Sequence, residues 1–261
     1  MITSTILHLC ILILSGGLCI AETPSGYNAE DVFGRIAALN DVVQSAKGDV
    51  TRTVLSAQSP KLTLTGTFAL QKPDSGILKF DTGTRCVIGY DRETCRLFYT
   101  DRNKGFYKPA REMTPPERFF LSPLLFFGGA ETLRNTSDAI EIYNVTDSTI
   151  VLRITPKIPI FYNYILIGVN PENWLVNAIE FFDLKNELFY QALYTEYKNN
   201  GENIHFPAKI TVTTVQKGIV TAETTVLSNV QLNLTLDDDD FRIGSNYSTT
   251  WSPEADILHK Y

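Results

Sequence analysis

The chain is poor in the residue types from which most catalytic sites are built. Its 261 residues include three histidines, two tryptophans and two methionines. It has no Gly-x-Ser-x-Gly elbow, Walker loop or His-Glu-x-x-His motif. His205 begins a strand-like run and is interpreted as structural, and the "DDDD" at 237–240 lacks calcium-loop spacing, which indicates a solvated charge run. We therefore expect a protein that is not an enzyme and holds no metal or cofactor, although a hydrolase with an unrecognised site stays open.

A block of basic residues is also missing. The 23 lysines and arginines stand against 29 aspartates and glutamates, which gives a net charge of -6 and a pI near 5.2. Such a chain offers no electrostatic reason to bind nucleic acid or an anionic membrane surface. Its composition, 44% hydrophobic and 20% charged, is that of a globular protein.

One long apolar run is present, and it lies at the N terminus. Residues 6–21, "ILHLCILILSGGLCIA", match the apolar core of a secretory signal peptide, with Cys19 and Ala21 as the small residues before the cleavage site. Residues 1–21 are therefore interpreted as a signal peptide, which predicts export. Acylation of Cys19 as a lipoprotein is the alternative, but Leu18 precedes it where a small residue is normally needed.

Removal of the signal peptide would leave two cysteines, Cys86 and Cys95. An even number of cysteines in an exported chain favours a disulfide. Both lie in "RCVIGYDRETCRLFYT", which predicts a hairpin whose turn contains Tyr90–Glu93. A two-residue or four-residue loop centred there is expected to place Cys86 directly opposite Cys95, near disulfide range. Two separate buried thiols are the alternative.

The rest of the chain is dominated by strand patterns. Asn28 begins a predicted helix that ends near Asn40. Short alternating segments then follow without room for crossover helices, which predicts antiparallel neighbours. They resume at residue 139 and continue to 243, with "IPIFYNYILIGV" expected to be a strand buried on both faces. We expect one mainly β domain over 22–243, with about eleven to thirteen strands and two or three helices, followed by a loose polar tail over 244–261.

A short apolar segment interrupts the strands at "MTPPERFFLSPLLFFGG". Thr114 and Glu117 are spaced as a capping box, with Pro115 at the first helical position. A helix so apolar on every side must be inserted into other structure. It is either a removable plug in an enclosed cavity or a permanent part of a packed core. Its apolar residues are Phe119, Phe120, Leu121, Leu124, Leu125, Phe126 and Phe127.

In this order the segments resemble the LolA-like superfamily of outer-membrane lipoprotein carriers and lipoprotein-sorting proteins. The resemblance rests on "GTFALQKPDSGILKFD", "CVIGYDRETCRLFY", "MTPPERFFLSPLLFFGG" and "FPAKITVTT" followed by "ETTVLSNVQLNLTLDDDDFRI". It covers about residues 28–243. It implies an incomplete antiparallel β-barrel around an apolar cavity, with helices as a lid and no catalytic activity.

The resemblance also implies a function and a set of site residues. We expect a periplasmic, monomeric carrier of acylated lipoproteins or lipids that exchanges cargo with membrane-bound donor and acceptor proteins. Lys72 stands where the carrier has an arginine that latches the lid, and Phe119–Phe127 would be the lid. The candidate cavity wall consists of Leu64, Phe68, Leu70, Leu78, Phe80, Leu97 and Tyr99. A protein-binding or lipid-sensing module of the same fold, acting in envelope signalling or assembly, is the alternative.

The lid hypothesis makes a direct prediction. Replacing Phe120 or Leu124 with a charged residue should abolish retention of acylated cargo while the fold survives, because a charge disfavours insertion into an apolar cavity. Native mass spectrometry of the purified variants reports the cargo, and circular dichroism reports the fold. Unchanged cargo retention would rule out the lid.

Overall fold

The computed structural model describes residues 26–57, 59–72, 75–113, 130–199, 204–216, 218–241, 243 and 250–253. Two helices are described, α1 (Ala29–Asp41) and α2 (Ala130–Thr136), with a 3-10 turn at Ala110–Glu112. The first six strands are β1 (Ser45–Ser56), β2 (Ser59–Gln71), β3 (Ser75–Phe80), β4 (Cys86–Tyr90), β5 (Thr94–Tyr99) and β6 (Lys104–Pro109). The others are β7 (Ser137–Val145), β8 (Ile150–Pro156), β9 (Tyr164–Val169), β10 (Val176–Phe182), β11 (Leu188–Asn199), β12 (His205–Gln216), β13 (Ile219–Leu232) and β14 (Thr250–Pro253).

All of these strands belong to one sheet. Its order is β14-β6-β5-β4-β3-β2-β1-β13-β12-β11-β10-β9-β8-β7. Strands β1 to β6 and β7 to β13 each pair antiparallel with the next strand in the chain, as the short turns predict, and β1 joins the two sets by pairing antiparallel with β13. The sheet is open because β14 and β7 form its two edges in the described part of the chain. The prediction of a mainly β, incomplete antiparallel barrel is confirmed, with one strand more than the expected range.

Helix α1 forms where its capping residue predicts. The side-chain oxygen of Asn28 accepts hydrogen bonds from the backbone N–H groups of Glu30, at 2.8 Å, and Asp31, at 3.2 Å. These bonds satisfy two of the N–H groups that a helix start leaves without partners. Val32, Phe33 and Ile36 then bury one face of the helix in the main core.

The β4–β5 hairpin forms, but the predicted disulfide is wrong. Cys86 lies opposite Tyr99 and Cys95 lies opposite Tyr90, so the cysteines are about 13 Å apart along the strands, at about 3.3 Å per residue. The two cysteines are not bonded to each other, and both are buried. The cause is the side chain of Asp91, which accepts hydrogen bonds from the N–H groups of Glu93 and Thr94 and moves the turn toward Arg92 and Glu93.

The expected doubly buried strand over 158–169 is only half correct. Strand β9 begins at Tyr164, and the preceding loop exposes Ile158 (71%), Ile160 (63%) and Phe161 (51%). The N–H of Ile160 donates to the carbonyl of Ile158 across Pro159, a three-residue turn that suits the fixed φ angle of proline. Residues 158–163 therefore stay outside the sheet, and strand pairing begins only at Tyr164.

Part of the expected loose tail is a strand. Strand β14 lies parallel to β6, with Trp251 beside Gly105. The Trp251 ring stacks on Phe98 with 6.2 Å between ring centroids. A Cβ atom at Gly105 would come within 2.5 Å of the Trp251 ring, so only glycine leaves room for this packing. Residues 244–249 and 254–261 lie outside the described residues.

A glycine in β2 yields a stability prediction. A Cβ atom at Gly66 would lie 1.8 Å from the Lys79 carbonyl oxygen, whereas one at Gly34, inside α1, would meet nothing closer than 3.9 Å. Gly66→Ala should lower the free energy of unfolding by about 1–3 kcal/mol through overpacking. Gly34→Ala should raise it by up to about 1 kcal/mol through helix propensity. Urea unfolding of both variants checks the pair, and equal effects would contradict the close approach of β2 and β3.

Candidate functional site

The seven predicted wall residues lie together on one face of the sheet. We call this the inner face, because its side chains form the main core cluster. None of the seven is more than 5% exposed. The structure thus brings together every residue of the predicted wall: Leu64, Phe68, Leu70, Leu78, Phe80, Leu97 and Tyr99.

Strand register joins several of these residues into one apolar row. Phe68 of β2 lies opposite Leu78 of β3, which lies opposite Ile88 of β4. The row continues through Leu97 of β5 to Phe106 of β6. Directly opposed side chains on adjacent strands are in packing range, so the row is a continuous apolar surface across five strands.

Sequence reasoning missed a buried ion pair on the same inner face. Arg52 of β1 and Glu223 of β13 have side chains only 2% and 8% exposed, with 3.9 Å between Nε and Oε2. The Arg52 guanidinium carbon lies 5.7 Å from the centre of the Phe80 ring. The signal was available, because Arg52 alternates in phase with the buried Val50 in "DVTRTVLS".

The interior changes the acidity of the groups near this pair. Burial raises the pKa of the Tyr190 hydroxyl; the negative charge of Glu223 adds to this effect, and Arg52 opposes it. Burial also raises the pKa of the Cys86 thiol to about 11, with Arg52 again opposing. Arg52 therefore acts electrostatically on groups contributed by β4 and β11 as well as on its partner in β13.

Lys72, the predicted latch residue, lies at the end of α1. Its ammonium group donates hydrogen bonds to the carbonyl oxygen of Asn40 at 2.7 Å and to the Asp41 carboxylate at 3.0 Å. A cation at this position is favourable because the last carbonyl groups of a helix carry partial negative charge. Lys72 thus fastens the N-terminal helix to β2. The proposed lid, Phe119–Phe127, lies outside the described residues.

Two surface pockets lie elsewhere. An open pocket of about 500 Å³ is lined by Tyr27, Asn28, Ala29, Glu141, Ile142, Tyr143 and Arg153. A smaller one of about 40 Å³ lies between the end of α1 and residues of β11 and β12, including His205. None of the seven wall residues lines either pocket. In this structure their side chains instead pack against one another, so a ligand on the inner face would have to part them.

The described residues contain neither a metal-binding cluster nor a helix that could cross a membrane. Within them, no three His, Cys, Asp or Glu side chains are grouped to hold a metal ion. No described helix has the length and apolar character needed to cross a membrane. The 237–240 run forms a turn in which Asp237 accepts hydrogen bonds from the N–H groups of Asp239 and Asp240. Asp240 forms an ion pair with Lys47, which helps to lower the pKa of its carboxyl.

Solved structures share this architecture. A domain assigned as an outer membrane lipoprotein-sorting protein, from Vibrio parahaemolyticus, matches with a TM-score of 0.60 and 16% identity, covering 82% of this chain and 97% of its own. A LolA superfamily protein from Nitrosomonas europaea matches with a TM-score of 0.57 and 14% identity, covering 84% of this chain and 99% of its own. The chain has the LolA-like fold.

Further comparisons extend this result. A DUF1329 family protein from Desulfovibrio piger is also similar in structure, with a TM-score of 0.58 and 12% identity, over 82% of this chain and 95% of its own. A family model described as "-like: Uncharacterized protein" matches residues 135–244. No match was found among curated protein sequences.

The buried thiol of Cys86 makes a testable prediction. Only a thiolate reacts with iodoacetamide, so a pKa near 11 should leave Cys86 almost inert at pH 8 in the native protein. Its labelling rate should rise about tenfold per pH unit up to about pH 11, whereas the unfolded chain should reach its plateau near pH 9–10. Peptide mapping without reduction measures this rate. Recovery of a Cys86–Cys95 disulfide would contradict the observed register.

Proposed function

We propose that this chain is a periplasmic carrier that binds the acyl chains of lipoproteins or lipids and transfers them toward the outer membrane. The apolar row from Phe68 to Phe106 is the observation that carries the proposal. An acyl chain laid along it would gain about 0.8 kcal/mol for each buried CH₂ group. Such binding requires no catalytic group, which agrees with the motif-poor sequence.

The site suits release as well as capture. The row is contributed by five neighbouring strands of an open sheet, so widening the gap between the sheet and the elements packed on it would admit a chain. Apolar contacts have no directional requirement, which lets a ligand slide in and out without breaking specific bonds. The fold shared with a domain assigned to lipoprotein sorting supports this use of the inner face.

Export is part of the proposal. Residues 1–21 would direct the chain to the periplasm, where membrane-bound donor and acceptor proteins would meet it. These residues lie outside the described structure, so the cellular location rests on the sequence pattern. N-terminal sequencing of protein from an exporting host would show whether the chain begins at Glu22.

A protein-binding module is the second candidate function. The edge of β6 accepts an extended segment, because β14 adds to it as a parallel strand with Trp251 as its anchor. Strand addition at a sheet edge is a common way to bind a peptide. A partner segment that replaced β14 would use the same backbone hydrogen-bonding groups of β6.

Native mass spectrometry of protein purified from an exporting host tests the carrier function. We expect an added mass matching a phospholipid or an acylated peptide. Leu78→Gln, within the apolar row, should weaken its retention at least tenfold. Val226→Gln, at a position 38% exposed, should leave retention unchanged. If the wild-type protein carries no added mass but binds a peptide partner, the result would instead favour the protein-binding module.

A further inference from the structure

The buried pair Arg52–Glu223 is difficult to explain as a device for stability. Each ion loses its hydration when buried, and replacing a buried ion pair by apolar side chains of similar volume is often neutral or stabilising. Arg52 is nevertheless one of the largest fully buried side chains of the protein. A buried ion pair that carries this desolvation cost is therefore a candidate for binding a ligand.

The position of the pair places it beside the proposed acyl wall. Arg52 lies opposite Leu64 of β2, one of the seven wall residues, and its guanidinium lies near the Phe80 ring. On the other side Arg52 lies opposite Thr225, two residues from Glu223 on β13. The apolar wall is therefore bordered, beside Leu64 and Phe80, by a pair that carries both a hydrogen-bond donor and an acceptor.

The charge of the pair selects the kind of headgroup that fits. Arg52 and Glu223 sum to zero, so an anion brought beside Arg52 would also meet the carboxylate of Glu223. A neutral headgroup with hydroxyl and ester groups avoids this repulsion: its hydroxyls donate to Glu223 and its oxygens accept from Arg52. Ligand pockets commonly combine an apolar lining with a few polar groups that fix orientation.

We propose that Arg52 and Glu223 form the polar end of the acyl site and select neutral glyceride headgroups over anionic ones. This inference rests on the proposed function, because it assigns the headgroup end of the same ligand. The acyl chain would start beside Leu64 and Phe80, the wall residues next to Arg52, and run across the apolar wall toward Leu97 and Tyr99. The glycerol and ester groups would lie between β1 and β13.

Three probes with the same oleoyl chain test the inference. They are added to the whole protein after its bound lipid has been removed. Monooleoylglycerol carries hydroxyls and an ester, methyl oleate carries an ester without a hydroxyl, and oleate is an anion. Displacement of a fluorescent fatty-acid analogue gives each affinity. We expect monooleoylglycerol to bind at least about tenfold more tightly than either of the other two probes.

The paired variant Arg52→Met/Glu223→Leu removes both charges without leaving one buried alone, which protects the fold. In this variant the affinity for monooleoylglycerol should fall to that for methyl oleate, whereas the affinity for methyl oleate should fall much less, because it loses only the contact of its ester with Arg52. Arg96→Met, on the exposed side of β5, is the matched control and should keep the wild-type preference. Thermal melts check that all variants are folded.

The other outcomes separate this inference from the proposed function. A preference for monooleoylglycerol that survives in the paired variant overturns the role of Arg52 and Glu223. Tightest binding of oleate by the wild type overturns the neutral-headgroup selection. Neither result would contradict the proposed acyl-binding site itself. If the wild type binds none of the three probes, both the inference and the proposed carrier function fail.

Discussion

The pairing of β1 with β13 is the interaction on which the rest of the structure depends. Each strand of the pair also begins a ladder of hairpins, one running through β2 to β6 and the other through β12 to β7. The register runs from Ala46 opposite Leu232 to Ser56 opposite Thr221. Residues so far apart in the chain meet only at the entropic cost of closing a long loop. Without this pairing the chain would hold two separate sheets.

This pairing also places a buried polar pair, Arg52 and Glu223, beside the apolar wall. The wall comes from the first ladder, whereas Glu223 comes from a strand more than a hundred residues later. The two halves of the proposed ligand site, one for the chain and one for the headgroup, therefore meet at the β1–β13 seam. Because Glu223 lies so far along the chain, the β1–β2 hairpin alone does not indicate the ionic partner of Arg52.

Local features of the sequence predicted much of the fold. The alternation in β2 and β3 placed Phe68 and Leu78 on one face, and Asn28 marked the start of α1. Details that depend on side chains in turns were missed. Asp91 moved the β4–β5 turn and separated the cysteines, and the turn at Pro159 delayed the start of the expected strand to Tyr164. Strand β14 could not be predicted, because its only long side chain with a clear role, Trp251, packs on residues that are distant in the chain.

The central claim is that acyl chains bind on the inner face of the sheet. Photo-crosslinking tests it most directly, with a fatty acid that carries a diazirine in its chain and tandem mass spectrometry to locate the label. Binding on the inner face predicts labels at wall residues such as Leu64, Leu78 and Leu97. Labels confined to exposed residues such as Leu55, Val220 and Val226 would contradict it.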